Sequence, residues 1–130
     1  MKTCLTLALI LGVATPALAL PPLSDNAYIN DRLIQARVAD RIRKECDSIA
    51  ARFAYAYSQA RALKQYAIDL GYSDAEIEVF LDSKADKDRV KAAAEAYLAA
   101  NGATSEAGFC ALGRKEIVAG TIAGSLIYEN

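Results

Sequence analysis

The sequence predicts an all-α protein, a small bundle of about five helices tied by one inter-helix disulfide. Three observations point there. Alanine is abundant and has Leu, Glu, Lys, Arg and Gln around it, the strong helix formers. No stretch sustains the two-residue alternation of a half-buried strand. The breaks between helical stretches are only a few residues long, which favours antiparallel neighbours.

The first 19 residues read as an export signal and are set apart from the fold. Lys2 gives a positive start, Leu5 to Val13 is an apolar run, and Ala17-Leu18-Ala19 fits the small-x-small cleavage rule, with Ala17 and Ala19 at its two small positions. The run is too short for a bilayer core of about 30 Å, which takes about 20 apolar residues. Cys4 precedes the apolar run and is not placed for lipidation at the cleavage site. Residues 20–130 then form a single helical domain, periplasmic or secreted, beginning with the stiff Leu20-Pro21-Pro22. Lys2 leaves with the signal, so a formal charge of −1 becomes −1 − 1 = −2.

The first predicted helix runs over 25–46, capped by Ser24 or Asp25, with Ile34, Val38, Ile42 and Cys46 stepping by four along one side. The second covers 48–70, capped by Asp47 or Ser48. Its seam of Ile49, Phe53, Ala56, Ala60, Leu63, Ala67 and Leu70, spaced four and three in turn, is the clearest periodic signal in the chain. Gly71 stands where a left-handed cap is needed. The third, 74–82, opens with the capping box Ser73-Asp74-Ala75-Glu76 and presents Ile77, Phe80 and Leu81. The fourth, 86–100, turns Val90, Ala94, Tyr97 and Leu98 inward and ends at Asn101-Gly102. The fifth, 105–128, carries Cys110, Gly113, Ile117, Gly120, Gly124 and Ile127 on one stripe. Glycine inside a helix costs about 1 kcal/mol relative to Ala, so Gly113, Gly120 and Gly124 predict a close-packing helix face.

Cys46 and Cys110 remain after the signal, and an even count in an oxidising compartment reads as a disulfide. The rival, two free redox thiols, lacks a CxxC motif and any His to activate a thiolate.

The composition also narrows the chemistry. The chain has no His, and its only Met is Met1. Ser-His-Asp and Cys-His nucleophiles, His-held haem and His-based zinc sites are therefore excluded. The near-neutral balance lacks the basic footprint of a nucleic-acid binder. Asp82, Asp86 and Asp88 with Glu76 and Glu78 are interleaved with Lys84, Lys87 and Arg89 and have no Gly turn, so a solvated acidic face is preferred to a calcium loop. Glu45 and Asp47 could pair as hydrolytic acids, but a charged helix end is the simpler reading. Arg37, Arg41 and Lys44 form a basic stripe on the first helix, read as solvated. Gly120 to Gly124 matches the small-xxx-small pattern of membrane helix pairs, yet its apolar stretch cannot span a bilayer and internal packing is preferred. Seven tyrosines mark either a second buried face or an exposed contact patch, the former preferred.

Leu20 to Ser24, Ile29-Asn30-Asp31, Ile42 to Cys46, the middle element Ala67 to Leu81, and the tail Phe109 to Arg114 with Ile117 to Leu126 together resemble a family of exported bacterial proteins catalogued as a domain of unknown function, number 5333. The resemblance covers essentially all of 20–130 and implies a secreted helical protein with two paired cysteines. The family has no assigned activity, so no catalytic residue follows from it. A looser likeness, in size, helices and bridge alone, is to periplasmic acid-stress chaperones and toxin-neutralising immunity proteins.

These readings converge on an exported, non-enzymatic protein that binds an envelope protein partner. No cofactor, metal or nucleic acid is expected, and the assembly is a monomer or weak homodimer. The alternatives are an acid-stress chaperone, a toxin inhibitor or a carboxylate-dependent cell-wall hydrolase. In a secretion-competent bacterium the purified protein should begin at Leu20 by intact mass, and Ala19→Arg should leave the uncleaved precursor; a mature mass retaining residues 1–19 contradicts the signal reading.

Overall fold

The computed structural model describes residues 12, 14 and 18–130. Most of the predicted signal, including Ala17, lies outside the described residues, whereas Ala19 lies within them and is exposed. A 3-10 turn, Leu23–Asp25, leads into α1, Ala27–Glu45. There follow β1 (Ile49–Ala51), α2 (Phe53–Asp69), α3 (Asp74–Asp82), α4 (Lys84–Ala100), α5 (Glu106–Ala119), the short α6 (Ile122–Ser125) and β2 (Ile127–Glu129). The all-helical reading holds for the body, with five long helices, and β1 and β2 add a small antiparallel ribbon.

Helix α1 is the hub. The predicted stripe is its buried side: Val38, Ile42 and Cys46 are fully enclosed, and Ile34 packs against them. They meet Ala94 and Leu98 of α4, Phe109 and Leu112 of α5, and Ala123, Leu126 and Ile127 at the C-terminal end. The N-cap is Asn26 rather than Ser24 or Asp25: its side chain accepts from the Ile29 amide at 2.9 Å. Ser24 and Asp25 belong to the preceding 3-10 turn. A second, smaller cluster joins Leu23 and Ile29 to Ala67, Tyr72 and Ile77. Buried Asn30 secures it, donating to the carbonyls of Leu23, Ser24 and Asn26 and accepting from Arg89 Nη2 at 2.7 Å. The N-terminal strap docks here too, because Tyr72 donates its hydroxyl to the Pro21 carbonyl at 2.5 Å.

The disulfide between Cys46 and Cys110 is formed, with the two Cα atoms 5.2 Å apart. It joins the C-cap of α1 to the first half of α5.

Two predicted helices are shorter than expected. Residues 49–51 are extended, so the second helix starts at Phe53 and not at 48. The strand pairs Ile49 with Glu129 and Ala51 with Ile127. The ribbon is prolonged by Asn130 N–H to the Ser48 carbonyl (2.9 Å) and by Arg52 N–H to the Leu126 carbonyl (2.8 Å). The fifth helix breaks at Gly120, whose φ of 64° is left-handed. The Gly120 amide donates to the Ile117 carbonyl (3.2 Å) and the Thr121 amide to the Glu116 carbonyl (3.3 Å). This pair of bonds is a Schellman ending.

That break dissolves the predicted glycine stripe. Gly113 is a close-packing position: a β-carbon there would overlap Ile49 Cδ1 and come within 2.7 Å of Ile42 Cγ2. Gly124 is another, but the neighbour is the Glu116 carbonyl at the end of α5. At Gly120 a β-carbon would meet nothing within 4 Å, so this residue serves only as the cap. The three glycines therefore act separately and share no helix face.

Gly113→Ala should destabilise by about 1–3 kcal/mol, the usual cost of overpacking a core, in denaturant unfolding. Replacing both cysteines by Ser opens a closure 64 residues apart in sequence and should cost about 4 kcal/mol by chain entropy. An unchanged midpoint for either variant contradicts the packing described.

Candidate functional site

The second predicted helix contains the strongest periodic seam, yet most of that seam is not buried. Phe53 is 68 % exposed and Leu70 40 % exposed, Ala60 is exposed, and Ala56 and Leu63 are only half-buried; within α2 only Ala67 is fully enclosed. The reason is how α2 is held. Its N-terminal end is fixed through the Arg52 amide and by Arg52 Nε donating to the Ile127 carbonyl at 3.2 Å. Its C-terminal end is fixed by Ala67 in the smaller cluster, by Tyr66 against Tyr28 with ring centroids 4.3 Å apart, and by Lys64 with Asp74 at 3.1 Å. Between those anchors the helix spans an open cleft of about 420 Å³.

The cleft has three walls. Ala56, Ala60 and Leu63 of α2 form the roof. Tyr28, Arg32, Leu33 and Ala36 of α1 form one side, and Thr121, Ile122, Ser125 and Leu126 line the other. Arg32 lies over the Tyr28 ring, 3.4 Å from its centroid, a cation–π contact that stiffens this end. Gln59 adds a side-chain amide to a largely apolar lining, whereas the Thr121 and Ser125 hydroxyls there already donate to Glu116 and to the Ile122 carbonyl. Such a surface offers apolar contact with a few orienting hydrogen-bonding groups, the usual make-up of a binding cleft.

The tyrosines divide between the two readings. Tyr28 and Tyr55 line the cleft and Tyr66 stacks beside it. Tyr72 is buried, Tyr97 directs its hydroxyl inward, and Tyr57 is exposed. They form neither one buried face nor one patch.

A second polar arrangement escaped the sequence reading. Glu116, 3 % exposed, accepts from Tyr97 Oη at 2.5 Å on one carboxylate oxygen and from the Thr121 hydroxyl on the other. The Thr121 oxygen in turn accepts from the Gly124 amide at 3.0 Å, capping α6. The carboxylate thus holds the turn between α5 and α6 against α4. The hydrogen bond to Glu116, then burial and the negative charge, push the Tyr97 phenol up to about 12. The available signal was spacing: Phe109, Leu112, Gly113 and Glu116 fall on one helix face, so the acid continues an apolar stripe.

The other candidate residues are surface groups. Glu45 is bound by Arg41, which also donates to Glu95 Oε1 at 2.7 Å, and Asp47 is exposed and lines no cleft described. The basic stripe is paired at all three positions: Arg41 with Glu45, Lys44 with Asp40 at 2.7 Å, and Arg37 more loosely with Asp40 at 3.7 Å. Burial raises the Asp40 carboxyl, but Lys44 and Arg43 outweigh it and hold it below the usual range. Asp82, Asp86 and Asp88 do not converge: among the described residues no group of three or more His, Cys, Asp or Glu could hold a metal ion. No helix of the described residues is long and apolar enough to cross a membrane.

These features define a small disulfide-tied helical protein with an open cleft beneath one helix. The chain belongs to a family of unknown function, DUF5333, whose profile matches residues 21–128. No curated protein matches it significantly. No solved structure does so either.

Tyr97→Phe strips a donor from a buried carboxylate and should cost about 1–3 kcal/mol at neutral pH. The unfolded chain sheds the phenol proton near 10 and the folded chain near 12. This contribution is therefore complete below the lower value and lost as pH climbs towards the upper one. Denaturant titrations should show the wild-type advantage over Tyr97→Phe shrinking across that window; a constant advantage refutes the assignment.

Proposed function

We propose that the protein is an exported, non-enzymatic binding protein of the cell envelope, and that an apolar segment of a partner protein docks in the cleft beneath α2. The observation that carries this reading is the unfilled apolar side of α2. A helix formed by so regular a seam normally buries it against a neighbour; here Ala56, Ala60 and Leu63 face about 420 Å³ of open space. Small side chains let a guest backbone approach closely, and Tyr28 and Tyr55 supply aromatic surface of the kind enriched at protein interfaces. Export is supported by the leader-like N-terminus and by the disulfide, a bond that persists in oxidising compartments.

The hydrolase alternative draws less support. Glu116 has both carboxylate oxygens engaged by hydroxyl groups and stands on the core side of α5. The acids of the charged helix end are solvated or paired with arginine.

A photo-cross-linking residue placed at Gln59 in the living cell should trap a discrete envelope protein, whereas the same residue at exposed Lys115 should not. Ala60→Arg, which fills the cleft, should abolish that adduct while leaving the helical spectrum unchanged. Equal adducts from both positions, or an adduct indifferent to Ala60→Arg, would sink the proposal.

A further inference from the structure

A second cleft, of about 430 Å³, opens between α1, α3 and α4 and shares only Leu33 with the first. Its floor is apolar: Leu33 from α1, Phe80 and Leu81 from α3, and Val90 from α4. Its rim is cationic, with Arg37, Lys87 and Lys91. Two acids, Asp86 and Asp88, also line it, but both are already engaged. Asp86 lies 3.1 Å from Arg89 and Asp88 lies 2.5 Å from Lys84.

The rim cations are left without comparable partners. Lys87 and Lys91 form no ion pair among the described residues. They stand four apart on one helix, a like-charge spacing that disfavours the helix slightly. Arg37 is 3.7 Å from Asp40, a carboxylate held more closely by Arg43 and Lys44, both at 2.7 Å. Arg37 Nε is buried with no hydrogen-bond partner. The hollow is thus lined by three cations against two carboxylates, and of the cations Lys87 and Lys91 are unpaired while Arg37 is held only at 3.7 Å by Asp40.

We propose that this cleft binds an amphipathic carboxylate of the fatty-acid type, its chain on Phe80, Leu81 and Val90 and its carboxylate among Arg37, Lys87 and Lys91. The planar guanidinium suits a carboxylate because it donates two parallel hydrogen bonds, and the lysines add charge. The apolar floor gives a small polar anion nothing to rest on, and a neutral chain has no charge to offer the rim. Both halves of the ligand are needed.

The test titrates the purified protein with laurate below its micelle concentration, with dodecanol and acetate as single-feature controls, followed by methyl NMR. Laurate should shift the Leu81 and Val90 signals, and dodecanol and acetate should each bind at least about tenfold more weakly, about 1.4 kcal/mol. The doubly substituted Lys87→Gln, Lys91→Gln protein should lose about tenfold in laurate affinity, and Lys115→Gln should lose nothing. Raising the salt should weaken laurate and leave dodecanol unchanged. Laurate binding no tighter than dodecanol overturns the proposal. So do shifts confined to Ala56, Leu63 and Ile122 of the α2 cleft. Because both lysines are exposed and unpaired, the double variant should keep its helical spectrum, and the wild-type ligand series decides the question even if it does not.

Discussion

The Cys46–Cys110 bond is the constraint on which the rest of the molecule rests. It pins the C-cap of the hub helix to α5 at a sequence separation of 64 residues. Because Cys46 is fully enclosed, the bond is also part of the core, continuous with Ile42, Ile49 and Leu112. With the end of α1 held there, Asp47 and Ser48 must turn, and the chain emerges extended beside the C-terminal segment. The ribbon of β1 and β2 follows from that proximity: three-residue strands have little stability of their own, and these borrow theirs from the helices and the cross-link around them. Gly113 permits the same convergence, since only a residue without a side chain lets α5 lie this close to Ile42 and Ile49.

With α1 tied to α5, the main cluster is built without a fully buried residue from α2, which is left as a span between its anchors. The ends of α2 are fixed by backbone and aromatic contacts, Ala56 and Leu63 pack partly against the two core clusters, and Ala60 between them is exposed. A bundle of this size has enough apolar surface for one modest core, and α1, α4, α5 and α6 use it. Part of the α2 seam, Phe53, Ala60 and Leu70, is left over, and so is the cationic hollow on the other side of α1. Both openings flank the hub helix and share Leu33 in their walls. The helix with the most enclosed stripe in the molecule therefore supports both.

The helices themselves were legible because their signals are local. Ser73 and Glu76 form the predicted capping box in both directions. The four-residue stripe of α1 is buried as its spacing implies, and Ala94 and Leu98 turn inward as expected. Expectation and fold part where a distant segment intervenes. Ile49-Ala50-Ala51 reads as the start of a helix, and only Ile127 to Glu129, far along the chain, supplies the partner that draws it into a strand. The glycine stripe over 113–124 was helical in period, but periodicity does not distinguish a glycine that admits a neighbour from one that ends a helix. Gly120 does the second, and Thr121 with Glu116 stabilises the new direction. The candidate cleft was likewise hidden, since a regular seam announces an apolar face and is silent about whether anything covers it.

Composition and spacing alone establish an all-helical body, the capping box that opens α3, two cysteines able to pair and the lack of histidine, because each depends on residues within a turn or two or on the mere presence of a residue type. The three-dimensional arrangement alone establishes the terminal ribbon, the burial of Glu116 and the two clefts beside α1. Those depend on which surfaces compete for a small core, and that competition is decided by contacts between segments tens of residues apart.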